Sequence, residues 1–204
     1  MIGTAVLLGI VAPSAAWAET DQQFDWCVGK NGATPDQTIE GCTAILATSG
    51  HSRDIISGTY FIRAQAYLGM KNYDLAIADY GQVIRLDPKN ESAYFYRSAA
   101  YTLKKDYGRA IADSSEAIRL DPKDATAYNN RGFAYLQTGK FAKAIADYDA
   151  ALKLDPKGIN QLYGRGIARI KSGQRAEGER DIASANAIEP KVAETFAREG
   201  LKPD

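Results

Sequence analysis

A proline recurs along this chain at a fixed interval of 34 residues, at Pro88, Pro122, Pro156 and Pro190. Each proline stands in nearly the same hexapeptide, which reads RLDPKN, RLDPKD, KLDPKG and, in a weaker copy, AIEPKV. A fixed period of this size is typical of stacked repeat architectures. The chain is therefore expected to form one elongated array in which each unit buries its apolar face against its neighbours.

Four units can be aligned within the chain, at 57–90, 91–124, 125–158 and 159–192. In each half of a unit, aromatic and small residues recur three, four and seven positions apart, which is helical spacing. The pattern breaks once in the middle of each unit, around Lys71, Lys105, Gly139 and Gly173. The Asp-Pro pair then ends the second half, because proline lacks a donor and clashes with the preceding helical turn. Each unit is predicted to be a helical hairpin, so the fold class is all-α.

The units also share residue types at defined places. Aromatic residues occupy two positions of the first helix, at Tyr60, Tyr94 and Tyr128 and at Tyr67, Tyr101 and Tyr135, and an alanine recurs in the second, at Ala76, Ala110 and Ala144. In this pattern and period the chain resembles the tetratricopeptide repeat (TPR) family. The resemblance implies a right-handed α-solenoid of antiparallel hairpins. The fourth unit departs from the pattern, with Leu162, Arg169, Arg175 and Gly178 at these places, as expected of a terminal repeat.

The segments on either side of the repeats are also expected to be helical. Residues 19–52 read as a divergent helical pair before the repeat region 53–192, and Pro35 suits the start of its second helix. Residues 193–204 read as a capping helix and tail, with Ala193 and Phe196 on one face together with Val192.

Residues 1–18 are interpreted as a signal peptide that is cleaved after Ala18. An uncharged apolar run, too short to span a membrane, precedes the small-residue pattern Ala16-Trp17-Ala18. The chain is thus expected to be an exported bacterial protein, periplasmic or secreted, that does not span the membrane after cleavage. No Lys or Arg precedes the apolar run, which leaves an upstream start codon as an open question. The alternative interpretation is an apolar N-terminal helix that packs on the repeats.

Cys27 and Cys42 are the two cysteines of the chain. In an oxidising compartment they are expected to form a disulfide, worth about 3 kcal/mol for a loop of roughly 15 residues. Two free thiols, or a metal site with His51, are the alternatives, although the spacing fits no common zinc pattern. We expect no metal and no cofactor.

Composition and motifs argue against several functions. Lys plus Arg and Asp plus Glu are balanced at 25 each, so no excess positive charge is available to attract nucleic acid. Gly164-x-Gly166 lies inside a predicted helix without a preceding strand, which argues against a phosphate loop. The single histidine, His51, leaves no credible Ser-His-acid set. We therefore expect a protein that is not an enzyme.

Charged residues recur once per unit, sixteen positions apart, at Arg63, Arg97, Arg131 and Arg165 and at Asp79, Asp113, Asp147 and Asp181. A row of charged functional sites is one interpretation. The favoured one is a structural Arg–Asp ladder within or between units, since packing demands such strict recurrence and ligand sites rarely do.

The favoured function is a protein–protein interaction module that binds a partner peptide or surface in a concave groove. TPR geometry assigns the groove to first-helix positions that vary between units: Phe61, Gln65, Leu68, Phe95, Ala99, Thr102, Asn129, Phe133, Leu136, Tyr163 and Ile167. This face is apolar, which predicts a hydrophobic or aromatic-rich partner segment. Two alternatives remain: the phenylalanines pack into neighbouring helices, or the array is a scaffold that bridges envelope proteins through its edges and ends.

Overall fold

The computed structural model describes the backbone of residues 15–203 and the side chains of residues 21–203. Within this part of the chain the regular structure is helical and contains no strand. Its α-helices are α1 (Ala15–Cys27), α2 (Pro35–Ala47), α3 (Arg53–Gly69), α4 (Tyr73–Leu86), α5 (Glu91–Leu103), α6 (Tyr107–Leu120), α7 (Ala125–Gln137), α8 (Phe141–Leu154), α9 (Ile159–Lys171), α10 (Arg175–Ile188) and α11 (Val192–Arg198). Residues 1–14 of the predicted signal peptide lie outside the described residues, and the predicted cleavage point after Ala18 falls within α1.

The helices from α1 to α10 pack in sequence, each against the next. The first helices of successive units also touch, α5 against α7 and α7 against α9, so that together they form one face. This arrangement confirms the predicted all-α solenoid of helical hairpins. Among the described residues, no helix combines the length and apolar character needed to cross a membrane.

The repeated Asp-Pro-Lys motif closes the second helix of each unit. Asp87 leaves the helical conformation as the C-cap of α4, and its Oδ1 accepts a hydrogen bond of 3.0 Å from the amide of Lys89. Equivalent bonds form at Asp121 and at Asp155, and Glu189 does the same in the fourth unit. The carboxylate thus accepts a hydrogen bond from a backbone amide that no longer has a partner within the helix. Glu can make the same bond as Asp, and the need for this bond explains why the hexapeptide recurs.

Side-chain caps start several of the helices. Thr34 and Gln37 form a reciprocal capping box at α2, with Pro35 in the first turn as predicted. Ser52 accepts from the amide of Ile55 and starts α3 at Arg53. The first helix of the first unit therefore begins four residues before the aligned repeat, because the cap lies upstream of it.

Small residues allow the two helices of each unit to approach closely. Ala64 and Ala76 are fully buried between α3 and α4. Helices α9 and α10 show such a close contact, where a Cβ added to Gly166 would lie 2.8 Å from the carbonyl oxygen of Gly178. Any larger side chain at Gly166 would push the hairpin apart.

The N-terminal helices α1 and α2 are joined by a disulfide between Cys27 and Cys42, whose Cα atoms lie 4.6 Å apart. Both cysteines are buried beside Ile45. Since α2 in turn packs on α3, the disulfide ties the first helix to the end of the repeat array.

Candidate partner-binding groove

The groove, here defined as the face formed by α3, α5, α7 and α9, carries the predicted partner-binding positions. Eight of the eleven are half-buried side chains: Phe61, Gln65, Leu68, Phe95, Ala99, Thr102, Asn129 and Phe133. They remain partly open to solvent, so this part of the groove can make further contacts.

An apolar cleft of about 310 Å³ opens in the middle of the groove. It is lined by Ala99, Thr102, Leu103, Asn129, Asn130, Phe133, Asn160, Thr195, Phe196 and Glu199. Leu103 lies at its edge and is 51% exposed. The cleft spans three first helices and reaches the C-terminal helix α11.

The polar groups of this cleft have few partners of their own. Within the described residues, no hydrogen bond engages the side-chain amides of Asn129, Asn130 or Asn160. The hydroxyl of Thr102 is buried without a hydrogen-bond partner. Glu199 is the single charged residue in the lining. Such a site offers uncharged donors and acceptors around an apolar floor, which suits a peptide better than an ion.

The remaining three predicted groove residues differ from the expectation of an open surface. Leu136, Tyr163 and Ile167 are 2%, 3% and 0% exposed. They belong to a core cluster that includes Phe196, whose ring centroid lies 4.8 Å from that of Tyr163. The physical reason is that α11 covers this end of the groove with its apolar face.

The other end of the groove contains an aromatic cluster. Phe61 packs edge-on against Tyr80 and Tyr96, with ring centroids 5.6 and 5.7 Å apart, and Phe95 meets Tyr96 at 5.1 Å. These phenylalanines are thus partly committed to packing, as the alternative interpretation proposed. A second cleft lies beside Phe61. It is more polar than the central cleft, because Arg53, Asp54 and Asp87 contribute to its lining.

The recurring arginines and aspartates form the pairs that the ladder interpretation describes, each within one unit. Arg63 donates from Nε and Nη2 to the two carboxylate oxygens of Asp79 at 2.7 and 2.9 Å. The same two-bond geometry joins Arg97 to Asp113, Arg131 to Asp147, and Arg165 to Asp181. The four aspartates are 5 to 7% exposed. Buried and doubly bonded, they are unavailable to a ligand.

Three of the arginines also bond to the preceding helix. Nη1 of Arg131 donates to Ser115 at 3.1 Å, and Nη1 of Arg165 donates to Asp149 at 2.7 Å. Arg63 reaches Thr43 on α2 in the same way. The fourth arginine, Arg97, faces Gly81 at the position that corresponds to Ser115 and Asp149. A Cβ added to Gly81 would lie 3.6 Å from Nη1 of Arg97. The ladder therefore links units as well as helices, except where glycine offers no side chain.

The hydrogen bond to Asp79 raises the pKa of Arg63 above its ordinary value, and the same cause acts on the other three arginines. Burial raises the pKa of Tyr80 and Tyr148, whose hydroxyls have no hydrogen-bond partner. The arginines therefore stay charged and the tyrosines stay neutral. Both pKa shifts result from packing inside the array, and neither provides an acid or a base at the central cleft.

Arg169 was not predicted as part of the ladder, although its position was noted as a departure from the repeat. It stands where the other units have tyrosine, and its Nη1 donates to Asp181 at 2.7 Å. Asp181 therefore binds two arginines. The sequence signal for this second ion pair is the arginine at position 169, which replaces the tyrosine of the other units one helical turn after Arg165.

No group of three or more metal-binding side chains occurs among residues 21–203. His51 bonds through Nε2 to the hydroxyl of Thr48 at 2.6 Å, and both cysteines are used in the disulfide. The metal alternative for these residues therefore has no geometric support.

Comparison with known proteins agrees with this architecture. The tetratricopeptide repeat family matches residues 58–90 and 125–157, and a second model described as TPR repeat matches residues 99–139. No curated protein matches the sequence significantly.

Several solved structures share the fold. A MamA protein crystal structure is 22% identical, with a TM-score of 0.73 over 90% of this chain and 96% of that one. MamA from Desulfovibrio magneticus RS-1 is 17% identical, with a TM-score of 0.73 over 89% and 99%. YrrB, described as a TPR protein with an unusual peptide-binding site, is 15% identical, with a TM-score of 0.67 over 82% and 84%. At these identities the likeness establishes the fold alone.

The stacked hairpins and their groove define the class of helical-repeat interaction modules. Within that class, the matched segments and the fold identify the chain as a tetratricopeptide repeat protein. Members of this family bind protein or peptide partners and are typically non-catalytic.

Proposed function

We propose that the chain binds an apolar or aromatic-rich segment of a protein partner in the middle of the groove. The observation that carries the proposal is the central cleft, which combines an apolar floor at Phe133 with the unpaired amides of Asn129, Asn130 and Asn160. A segment bound there could place an apolar side chain on the floor and a polar group against the amides. Apart from Asn129 and Asn130, the Lys and Asn set with which some TPR proteins hold a terminal carboxylate is absent from the matching positions, so an internal segment is favoured.

The test compares amide variants in a capture assay with periplasmic extract. Because Asn129 and Asn130 make no hydrogen bond within the described fold, Asn129→Ala with Asn130→Ala should reduce capture at least tenfold without shifting the melting temperature. Asn72→Ala is the matched control, since Asn72 is exposed far along the chain and its side chain caps nothing. Unchanged capture by the double variant would refute binding at the cleft.

A second variant pair examines the aromatic positions. Phe95→Ala with Phe133→Ala should also abolish capture, because central aromatic anchors dominate most interfaces. A large fall in melting temperature with capture retained would show that these rings serve the core alone.

We propose further that the protein is exported and acts in the periplasm or outside the cell. The Ala16-Trp17-Ala18 pattern and the buried disulfide support this location. The mature protein should begin at Glu19 and contain no alkylatable thiol until it is reduced. Intact mass before and after reduction and alkylation checks both points, and two reactive thiols without reductant would contradict them.

A further inference from the structure

The C-terminal helix α11 departs from the stacking rule that the rest of the array obeys. In the first four units, each new unit begins with a helix that packs on the second helix of the unit before it, as α5 does on α4 and α7 on α6. Helix α11 follows α10 but lies mainly against α9. After the turn at Pro190 and Lys191, the chain therefore turns into the groove instead of extending the array.

Three apolar side chains hold this segment in the groove. Val192, Phe196 and Leu201 are 3%, 4% and 7% exposed, and the Phe196 ring lies 4.8 Å from Tyr163 and 6.3 Å from Phe133, between centroids. Among the described hydrogen bonds, a side chain of the body reaches the segment once, from Gln137 Nε2 to the carbonyl oxygen of Glu199 at 3.1 Å. The opposite side of the helix, from Glu194 to Arg198, is exposed apart from Phe196.

The attachment of α11 is weak by comparison with the helices beneath it. The helix has seven residues and no side-chain N-cap, and a helix of this length is unstable without tertiary contacts. Such lightly held terminal segments open locally far more often than the whole fold does.

We infer that α11 is a displaceable occupant of the groove, and that the partner segment which replaces it is a short amphipathic helix with an aliphatic residue four positions before an aromatic one. This inference rests on the proposed function of the groove. Val192 and Phe196 have this spacing, and they show the side chains that the site accepts. The central cleft runs directly into Phe196, so a segment that enters the cleft and extends towards α9 must displace α11.

Competition within one chain lowers the apparent affinity for any outside segment. A tethered segment acts at a high effective concentration, and the measured Kd rises by the inverse of the open fraction. Weakening the contact of Phe196 should therefore strengthen binding of an outside peptide. A helix that was merely structural would show no such effect.

The experiment uses the full chain and a labelled synthetic peptide with the sequence of residues 190–203. Phe196→Ala should bind this peptide at least tenfold more tightly than the wild type does, in fluorescence anisotropy. Glu194→Ala, which changes an exposed residue of the same helix, should bind it no better than the wild type. A peptide with alanine in place of its phenylalanine should not bind. Equal affinity of wild type and Phe196→Ala would overturn the inference.

Hydrogen exchange of the wild type decides the question without any variant. The amides of α11 should exchange at least a hundredfold faster than those of α9, through local opening. Exchange of both helices at one common rate would show that α11 opens only with the whole fold, and would also overturn the inference. Either negative result leaves the capture assay with the Asn129 and Asn130 variants unaffected, so a failure here is distinguishable from a failure of the proposed groove.

Discussion

At the scale of single residues, the central feature is the aspartate that is buried in each of the four repeat units. Each aspartate is acceptable there because one arginine supplies two hydrogen bonds to it, as Arg131 does to Asp147. Removing one partner of such a pair lowers the free energy of unfolding by more than the intact pair contributes to it, because the other charge remains buried without a partner.

Arg131→Met should therefore lower the free energy of unfolding by about 2 to 3 kcal/mol, since the arginine itself is only partly buried. Lys143→Met should change it by less than about 0.5 kcal/mol, because Lys143 is exposed. Urea unfolding of the two variants checks this difference. Equal shifts of the midpoint would show that the ladder contributes nothing to stability.

The pairing within each unit could be predicted from the sequence because Arg and Asp recur sixteen residues apart. The third contact, which three of the four arginines make, could not be predicted, since its partner is different each time: Thr43, Ser115 and Asp149. Such contacts depend on the distance between neighbouring hairpins, which only the assembled array defines.

At the scale of the elements, the turn between the two helices of each unit needs a left-handed residue. Gly139 and Gly173 supply it with φ of 70° and 90°. In the first two units Lys71 and Lys105 occupy the same place with φ of 62° and 61°. The sequence predicted the position of these turns, whereas the strain at lysine appears only in the backbone angles.

Lys105→Gly should raise the free energy of unfolding by about 0.5 to 1 kcal/mol. Relief of the left-handed strain exceeds the entropy that glycine loses on folding. The reverse change, Gly139→Lys, should lower it by about 1 kcal/mol at the equivalent turn. Thermal or urea unfolding measures both, and shifts of the same sign in the two variants would contradict the explanation.

At the scale of the whole molecule, the number of hairpins, their stacking and the first-helix groove follow from the repeat period. A C-terminal capping helix was predicted as well, with Val192 and Phe196 on its apolar face. Its direction was not predictable, because the path after Pro190 depends on which surface of the finished array offers the better apolar contact. Leu136, Tyr163 and Ile167 were therefore assigned to an open groove although α11 buries them.

The contact between the first and second units offers a prediction at this scale. Gly81 stands sixteen residues before Arg97, just as Ser115 stands before Arg131. Gly81→Ser should stabilise the protein by about 1 kcal/mol, through better helix propensity and a hydrogen bond to Nη1. Gly81→Ala is the control, since it improves propensity alone. A serine variant clearly less stable than the alanine variant would exclude the added hydrogen bond.

The glycine at position 81 also affects how the array should come apart. Stability in a linear array is a sum of unit terms and neighbour terms, so unfolding begins where a neighbour term is smallest. At the junction of α4 and α5, Arg97 makes no bond to the preceding helix of the kind that Arg131 and Arg165 make at the later junctions. The ion pair that does cross it, between Lys104 and Asp74, is largely exposed and contributes little. The disulfide strengthens only the segment before that junction. We therefore expect two cooperative blocks under mild denaturant, α1 to α4 and α5 to α10, with the loop from Asp87 to Asn90 as the first site of proteolytic cleavage between them.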